Sequence, residues 1–261
     1  MINLLQIEFI KLKSNKSFWI ISLFYCLVSY YIVNQANGLP GGSELFEKPL
    51  DFPMIWLTST YCASFLIVFP SILIILNIGN EYKYRTSRQH VIDGLSRTQF
   101  VVCKILAIWL IATTLTCYII LLSVFLGWKS TGSMDHFFGE QCSFIIGFYL
   151  QLIGVLSFAF LIGLAFKRTG FSIGVFVGYY FIIEPILYWL VFKDSPVRNY
   201  LPLEIFDSLV FSPIKDNFKD LSSLNMPEFT LSMSWLSTAK AIGYISVSFL
   251  LSIFVFNKRD L

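Results

Sequence analysis

Apolar positions in this chain run on for many residues without the alternation of a strand or the single apolar stripe of a surface helix. The runs are Phe18 to Val33, Ile55 to Ile78, Phe100 to Trp128, Ser143 to Phe166, Phe171 to Phe192 and Trp235 to Phe256. A hydrocarbon core about 30 Å thick asks for about 20 apolar residues at about 1.5 Å each, so each run is read as a helix crossing a bilayer. The pattern predicts an all-α polytopic membrane protein of six transmembrane helices.

The polar stretches between the runs refine that frame. At the start, Ile2, Leu5, Phe9 and Leu12 fall on one helical face beside Lys11 and Lys13, which predicts an interfacial helix over 1–16, although Leu4, Ile7 and Ile10 blur its polar face. The run after Lys16 is longer than the h-region of a secretory signal, and no A-x-A-like site follows it, so it is expected to remain as the first span. The segment 193–234 holds Pro196, Pro202, Pro213 and Pro227 around the apolar patch Leu201, Leu203, Ile205, Phe206, Leu209, Val210 and Phe211. It is too short to build its own core, so short helices lying on or dipping into the outer leaflet are expected. The whole chain, 1–261, is read as one transmembrane permease unit, with 79–99 as a structured cytoplasmic loop.

Composition agrees: of 261 residues 56% are hydrophobic and 13% charged, about half the charged share of a soluble domain. The net charge of +3 is too small to mark a nucleic-acid surface, and its distribution says more. Lys11, Lys13 and Lys16, then Lys83, Arg85, Arg88 and Arg97, then Lys167 and Arg168, then Lys258 and Arg259 recur on one side, while most acids gather in the other loops. The positive-inside rule puts both termini in the cytoplasm, in the cell (cytoplasmic or inner) membrane. Trp56, Trp128, Trp189 and Trp235 then fall at outer span ends, where indoles favour the headgroup level. The cysteines Cys26, Cys62, Cys103, Cys117 and Cys142 form no C-x-x-C pair and read as small hydrophobes.

The cytoplasmic loop from Glu81 to Lys104 is the most informative stretch. Thr86 is suited to cap a short helix in which Arg88, Val91, Ile92 and Leu95 recur at helical spacing, with Gly94 as its left-handed stop. Ser96 and Gln99 then form a capping box that opens the third span. From the residues alone, a docking helix and a solvated face serving only the positive-inside rule are equally good readings.

Glu81 and Tyr82 at the end of span two, Thr86, the Ser96–Arg97 turn and Lys104 entering span three match in order and spacing the exporter-type (type 2) permeases of ATP-binding-cassette transporters, which the chain resembles. Glu8, Lys11 and Lys13 before Phe18–Trp19 also look like that family's interfacial helix, whereas Arg85 stands where glycine is common. The resemblance implies that Glu81, Tyr82, Arg85, Thr86, Arg88, Val91, Ile92, Leu95, Ser96 and Arg97 form the contact with a separate ATPase subunit. It also implies a second permease copy around the substrate route. ATP and Mg would then belong to that partner, this chain binding no cofactor and catalysing no reaction. In keeping with this, the chain has no G-x-x-x-x-G-K-[ST]; Gly127-Trp128-Lys129-Ser130-Thr131 lacks the Gly-Lys contact.

Other chemistries fit less well. The two histidines, His90 and His136, lie in loops on opposite sides, so Ser172 has no histidine partner for intramembrane proteolysis, and no H-E-x-x-H occurs. An ion-coupled secondary carrier would rest on Glu184, the acid deep in span five, but the halves show no internal repeat. A non-transporting immunity or structural membrane protein is the third class. Glu184 and Lys240 stand at compatible depths, about 12 Å and about 7 Å from the outer ends of their spans, and are expected to pair, with Glu184 lining a cavity as the alternative. Pro185 is expected to bend span five, and Gly170, Gly174 and Gly178 give it a smooth strip, expected to pack within the subunit.

Overall fold

The computed structural model describes residues 2–36, 49–84, 96–132, 142–166, 168–192, 195–210 and 235–258. Among these residues every regular element is helical. The helices are α1 (Ile2–Ser14), α2 (Lys16–Asn34), α3 (Ile55–Ser64), α4 (Val68–Lys83), α5 (Arg97–Thr131), α6 (Ser143–Ala165), α7 (Thr169–Val191), α8 (Pro202–Asp207) and α9 (Trp235–Asn257). Of these, α2, α5, α6, α7 and α9 are long and apolar enough to cross a membrane, and the bent pair α3–α4 qualifies as a sixth when taken together. These are the helices of a membrane-embedded protein.

The second expected span is not one rod. Its halves meet at 45°, and the chain between them makes i→i−3 bonds from Leu66 to Ala63, Ile67 to Ser64 and Phe69 to Leu66. Pro70 explains the break, because it has no N–H for the Leu66 carbonyl and its ring crowds that carbonyl. The fifth span responds differently to Pro185. Here π-helical turns over Tyr179–Ile183 and Leu187–Val191 flank a short α-helical stretch, Glu184–Ile186, so the wider turns absorb the proline.

α6 is the hub, packed against α3, α4, α5, α7, α8 and α9, and 67% of its span is buried against 17% for α2 and for α7. Small residues let its neighbours in close. A Cβ on Gly154 would lie 2.2 Å from the Phe206 ring, and one on Gly163 would lie 3.0 Å from Ile78. α5 runs for 35 residues, about 52 Å at about 1.5 Å each, and so outreaches a bilayer core. α2 leans on it through Tyr118, whose hydroxyl donates to the Cys26 carbonyl at 2.6 Å.

Phe9 is exposed, as the apolar face of an interfacial helix would be, whereas Leu12 of the same face is buried and Glu8 turns inward to Lys104. One local expectation is corrected. Trp56 is buried beside Phe52 at a centroid distance of 6.0 Å, whereas Trp128, Trp189 and Trp235 are exposed at the end of the bundle away from α1. The bend in the second span carries α3 inward and takes Trp56 with it.

Candidate functional site

Lys104 is the one charged residue in the apolar run of α5, about two turns from the start of the helix. It is almost fully buried, with its ammonium 2.6 Å from Glu8 Oε2 and 2.5 Å from Glu81 Oε1. The Lys11 ammonium lies 3.3 Å from Glu8 Oε1 and 3.2 Å from Glu81 Oε1. Two carboxylates and two ammoniums thus form one neutral tetrad, whose members come from α1, the end of α4 and the start of α5. Phe100, Phe160, Leu164 and Phe256 wall its inner side, and the Phe100 and Phe256 rings stack at 4.8 Å.

Local sequence accounts for this placement. The box of Ser96 and Gln99, with Gln99 N donating to Ser96 Oγ at 3.2 Å and Ser96 N to Gln99 Oε1 at 3.1 Å, fixes where α5 begins and therefore the height of Lys104. Asn15 caps α2 by accepting from Ser17 N at 3.0 Å, which turns the chain so that α1 folds back under the bundle. Burial pushes the Glu8 carboxyl up, but the Lys104 and Lys11 ammoniums outweigh it and hold the group below its ordinary value.

A second polar node lies toward the other end. Glu184, buried, accepts from the backbone N–H of Glu204 at 2.8 Å, and the N–H of Leu203 and the Tyr179 hydroxyl also face it. Leu203 and Glu204 are the second and third residues of α8, and Pro202, the first, has no N–H to satisfy. The carboxylate therefore caps α8 from another helix, matching the acid to the positive end of the helix dipole. Gln151 of α6 donates to Asp207 at the other end of α8 at 3.0 Å. The expected outer-loop helix thus dips into the bundle on Leu203, Ile205 and Phe206.

The expected pair of Glu184 with Lys240 does not form. The Lys240 ammonium lies 4.4 Å from the centroid of the Tyr200 ring, while backbone donors occupy Glu184. A long cationic side chain reaches outward over an aromatic face at less cost than it enters the bundle. The glycine strip also departs from expectation. At Gly170, Gly174 and Gly178 an added Cβ would meet nothing within 4 Å, so the strip packs against no other described part of the chain.

Of the residues expected to contact an ATPase, Glu81 is in the tetrad, Tyr82 is half-buried against the core, and Ser96 and Arg97 start α5. Arg85, Thr86, Arg88, Val91, Ile92 and Leu95 lie outside the described residues. Lys104 and Glu8 were marked by their positions, but their meeting was not. The signal was the lone cation in an apolar span, which needs an acid at its own depth.

A family model described as a protein of unknown function, DUF2705, matches residues 26–261. The chain belongs to the DUF2705 family. No curated protein matches the sequence with significance. The DUF2705 match contains Glu81, Lys104 and Glu184 and begins within α2, so Glu8 and Lys11 of the tetrad precede it.

Proposed function

We propose that this DUF2705 protein is the membrane-spanning permease subunit of an ATP-binding-cassette exporter, moving a hydrophobic or amphipathic substrate when a separate ATPase subunit drives it. It crosses the cell membrane six times with both termini in the cytoplasm, and two copies assemble with two ATPase subunits. ATP and Mg bind the ATPase, and this chain catalyses no reaction of its own.

The observation that carries the reading is the buried tetrad of Glu8, Lys11, Glu81 and Lys104. It clamps the helices on both sides of the loop 85–95 to each other and to α1, so a push on that loop is delivered to α4 and α5 as a unit. A solvated connector has no need of an ion-paired joint, buried at Glu8, Glu81 and Lys104, at its base. The resemblance in Glu81, Tyr82, Thr86, Ser96, Arg97 and Lys104 points the same way. Glu184, on which an ion-coupled carrier would rest, is engaged in holding α8.

Purification in mild detergent tests the assembly, the expected result being a nucleotide-binding subunit that copurifies in equal number. Replacing Arg88 or Leu95 by alanine is expected to leave insertion intact and to uncouple ATP hydrolysis from export. A stable, active monomer without a nucleotide-binding partner would overturn the proposal.

A further inference from the structure

Beside the tetrad, a cleft of about 600 Å³ opens between α1, the start of α2 and the last turns of α4. Its polar walls carry Lys11, Lys16, Asn15, Asn77, Asn80 and Tyr84, with Glu81 of the tetrad at the back. Asn77, Asn80 and Tyr84 stand three and four residues apart and so share one face of α4. The side chains of Lys16, Asn77 and Asn80 hydrogen-bond to nothing else among the described residues, and both asparagines are half-buried. Half-buried amides and an ammonium converging on an open space make a polar pocket in search of an acceptor.

The surroundings say where the cleft lies. Trp19, exposed, donates its indole N–H to the Lys13 carbonyl at 2.8 Å, the half-wet setting that tryptophan takes at headgroup level. Ile10 is exposed on one rim, and Ile20 and Leu23 continue upward from the other as an exposed apolar face of α2. Asn77 is about 10 Å deeper than Tyr84 at about 1.5 Å per residue, so the polar wall runs from the headgroups toward the acyl chains. An occupant must be anionic or neutral at the mouth and apolar below.

We propose that this cleft binds the headgroup of an anionic phospholipid, with the phosphate held by Lys16 and Asn80 and the acyl chains lying along α2. Charge decides for a net anion. Glu8 and Glu81 are neutralised by Lys104 and Lys11, which leaves Lys16 as the surplus charge, suited to one phosphodiester. Glu81, the acid in the lining, has its Oε1 held by Lys104 and Lys11, so the lining carries a net positive charge. Volume agrees, since a cleft of about 600 Å³ has room for a phosphate with a small polyol. The lipid would wedge between α1 and α4 against Lys11, so the tetrad becomes sensitive to the membrane around it. This proposal does not depend on the exporter reading, because the binding is a property of the isolated chain.

The full chain purified in a neutral detergent is titrated with phosphatidylglycerol and with phosphatidylcholine, and bound lipid is counted by native mass spectrometry. Phosphatidylglycerol is expected to be retained about tenfold more tightly. Lys16→Gln together with Asn80→Leu should remove about tenfold of that affinity, the scale of one lost hydrogen bond to a charged group, while Lys129→Gln at the far end of α5 changes nothing. Should the double variant unfold, Asn77→Asp, which adds a repelling carboxylate at a half-exposed position, is read in its place and should weaken retention. Equal retention of the two lipids, or retention untouched by these substitutions, overturns the proposal. So does full competition by inorganic phosphate, which would make the cleft a site for the free ion.

Discussion

At the scale of single residues, Glu184 shows how a buried carboxyl is engaged by backbone, through its Oε1. Its carboxylate serves the N–H groups at the start of α8, and removing it strands donors inside the bundle. Glu184→Leu is expected to lower stability by about 1–3 kcal/mol, seen as a lower thermal midpoint in detergent, with Glu184→Gln milder because an acceptor remains. A cycle with Lys240→Gln should be additive, since Lys240 rests on Tyr200; a coupling above about 0.5 kcal/mol would restore the ion pair in place of the cap. Gly154 gives a steric counterpart. Gly154→Ala drives a Cβ into Phe206 and should loosen α8, as read by proteolysis near that segment, and Phe206→Leu should recover part of the loss. The importance of Glu184 was legible because it is the lone acid in an apolar run. Its partners were not, because a side-chain pattern does not record which backbone amides a loop will bring back.

At the scale of elements, hydropathy located the long helices to within a few residues, because lipid imposes one requirement on every span, whereas the breaks within spans depend on local sterics. Pro70 in α4 was the readable sign of the 45° bend, and Pro185 signalled a disturbance whose form, π-helical turns, no periodicity reveals. The tetrad follows a third logic, in which elements far apart in sequence are joined because their charges have nowhere else to go. Lys104→Met leaves Glu8 and Glu81 buried with only Lys11 nearby, and a loss of about 3–5 kcal/mol is expected, with faster hydrogen exchange in α1. The joint also has a pH signature. The Glu8 carboxyl sits below its ordinary value of 4.5 in the folded chain, so its contribution is present above that value and is lost as pH falls through the lower folded one. Acid titration of the thermal midpoint should therefore fall below about pH 4.5, and Glu8→Gln should flatten that fall. An unchanged slope would assign the acid sensitivity to other groups.

At the scale of the whole molecule, the helices divide into a packed centre and two exposed flanks. α6 is enclosed, while α2 and α7 leave most of their surface outward, and along α7 the glycine strip meets nothing among the described residues. A lone helix in lipid gains nothing from glycines on its outer face, whereas a facing helix gains close backbone approach. The second permease copy of the proposed assembly supplies such a helix. Gly174→Leu separates the two cases, because a side chain there enters open space within the chain and should leave the monomer's thermal midpoint within about 0.5 kcal/mol of the parent, the usual effect of a surface change. Between copies the same leucine should hold the helices apart and shift the protein from dimer to monomer in detergent. Gly178→Cys provides the direct reading: if two strips face one another, oxidation should link two copies through that cysteine, and Gly174→Leu in the same chain should abolish the link. Dimers that persist with Gly174→Leu, and a cysteine at 178 that never crosslinks, would move the contact between copies to another face and leave the strip to lipid.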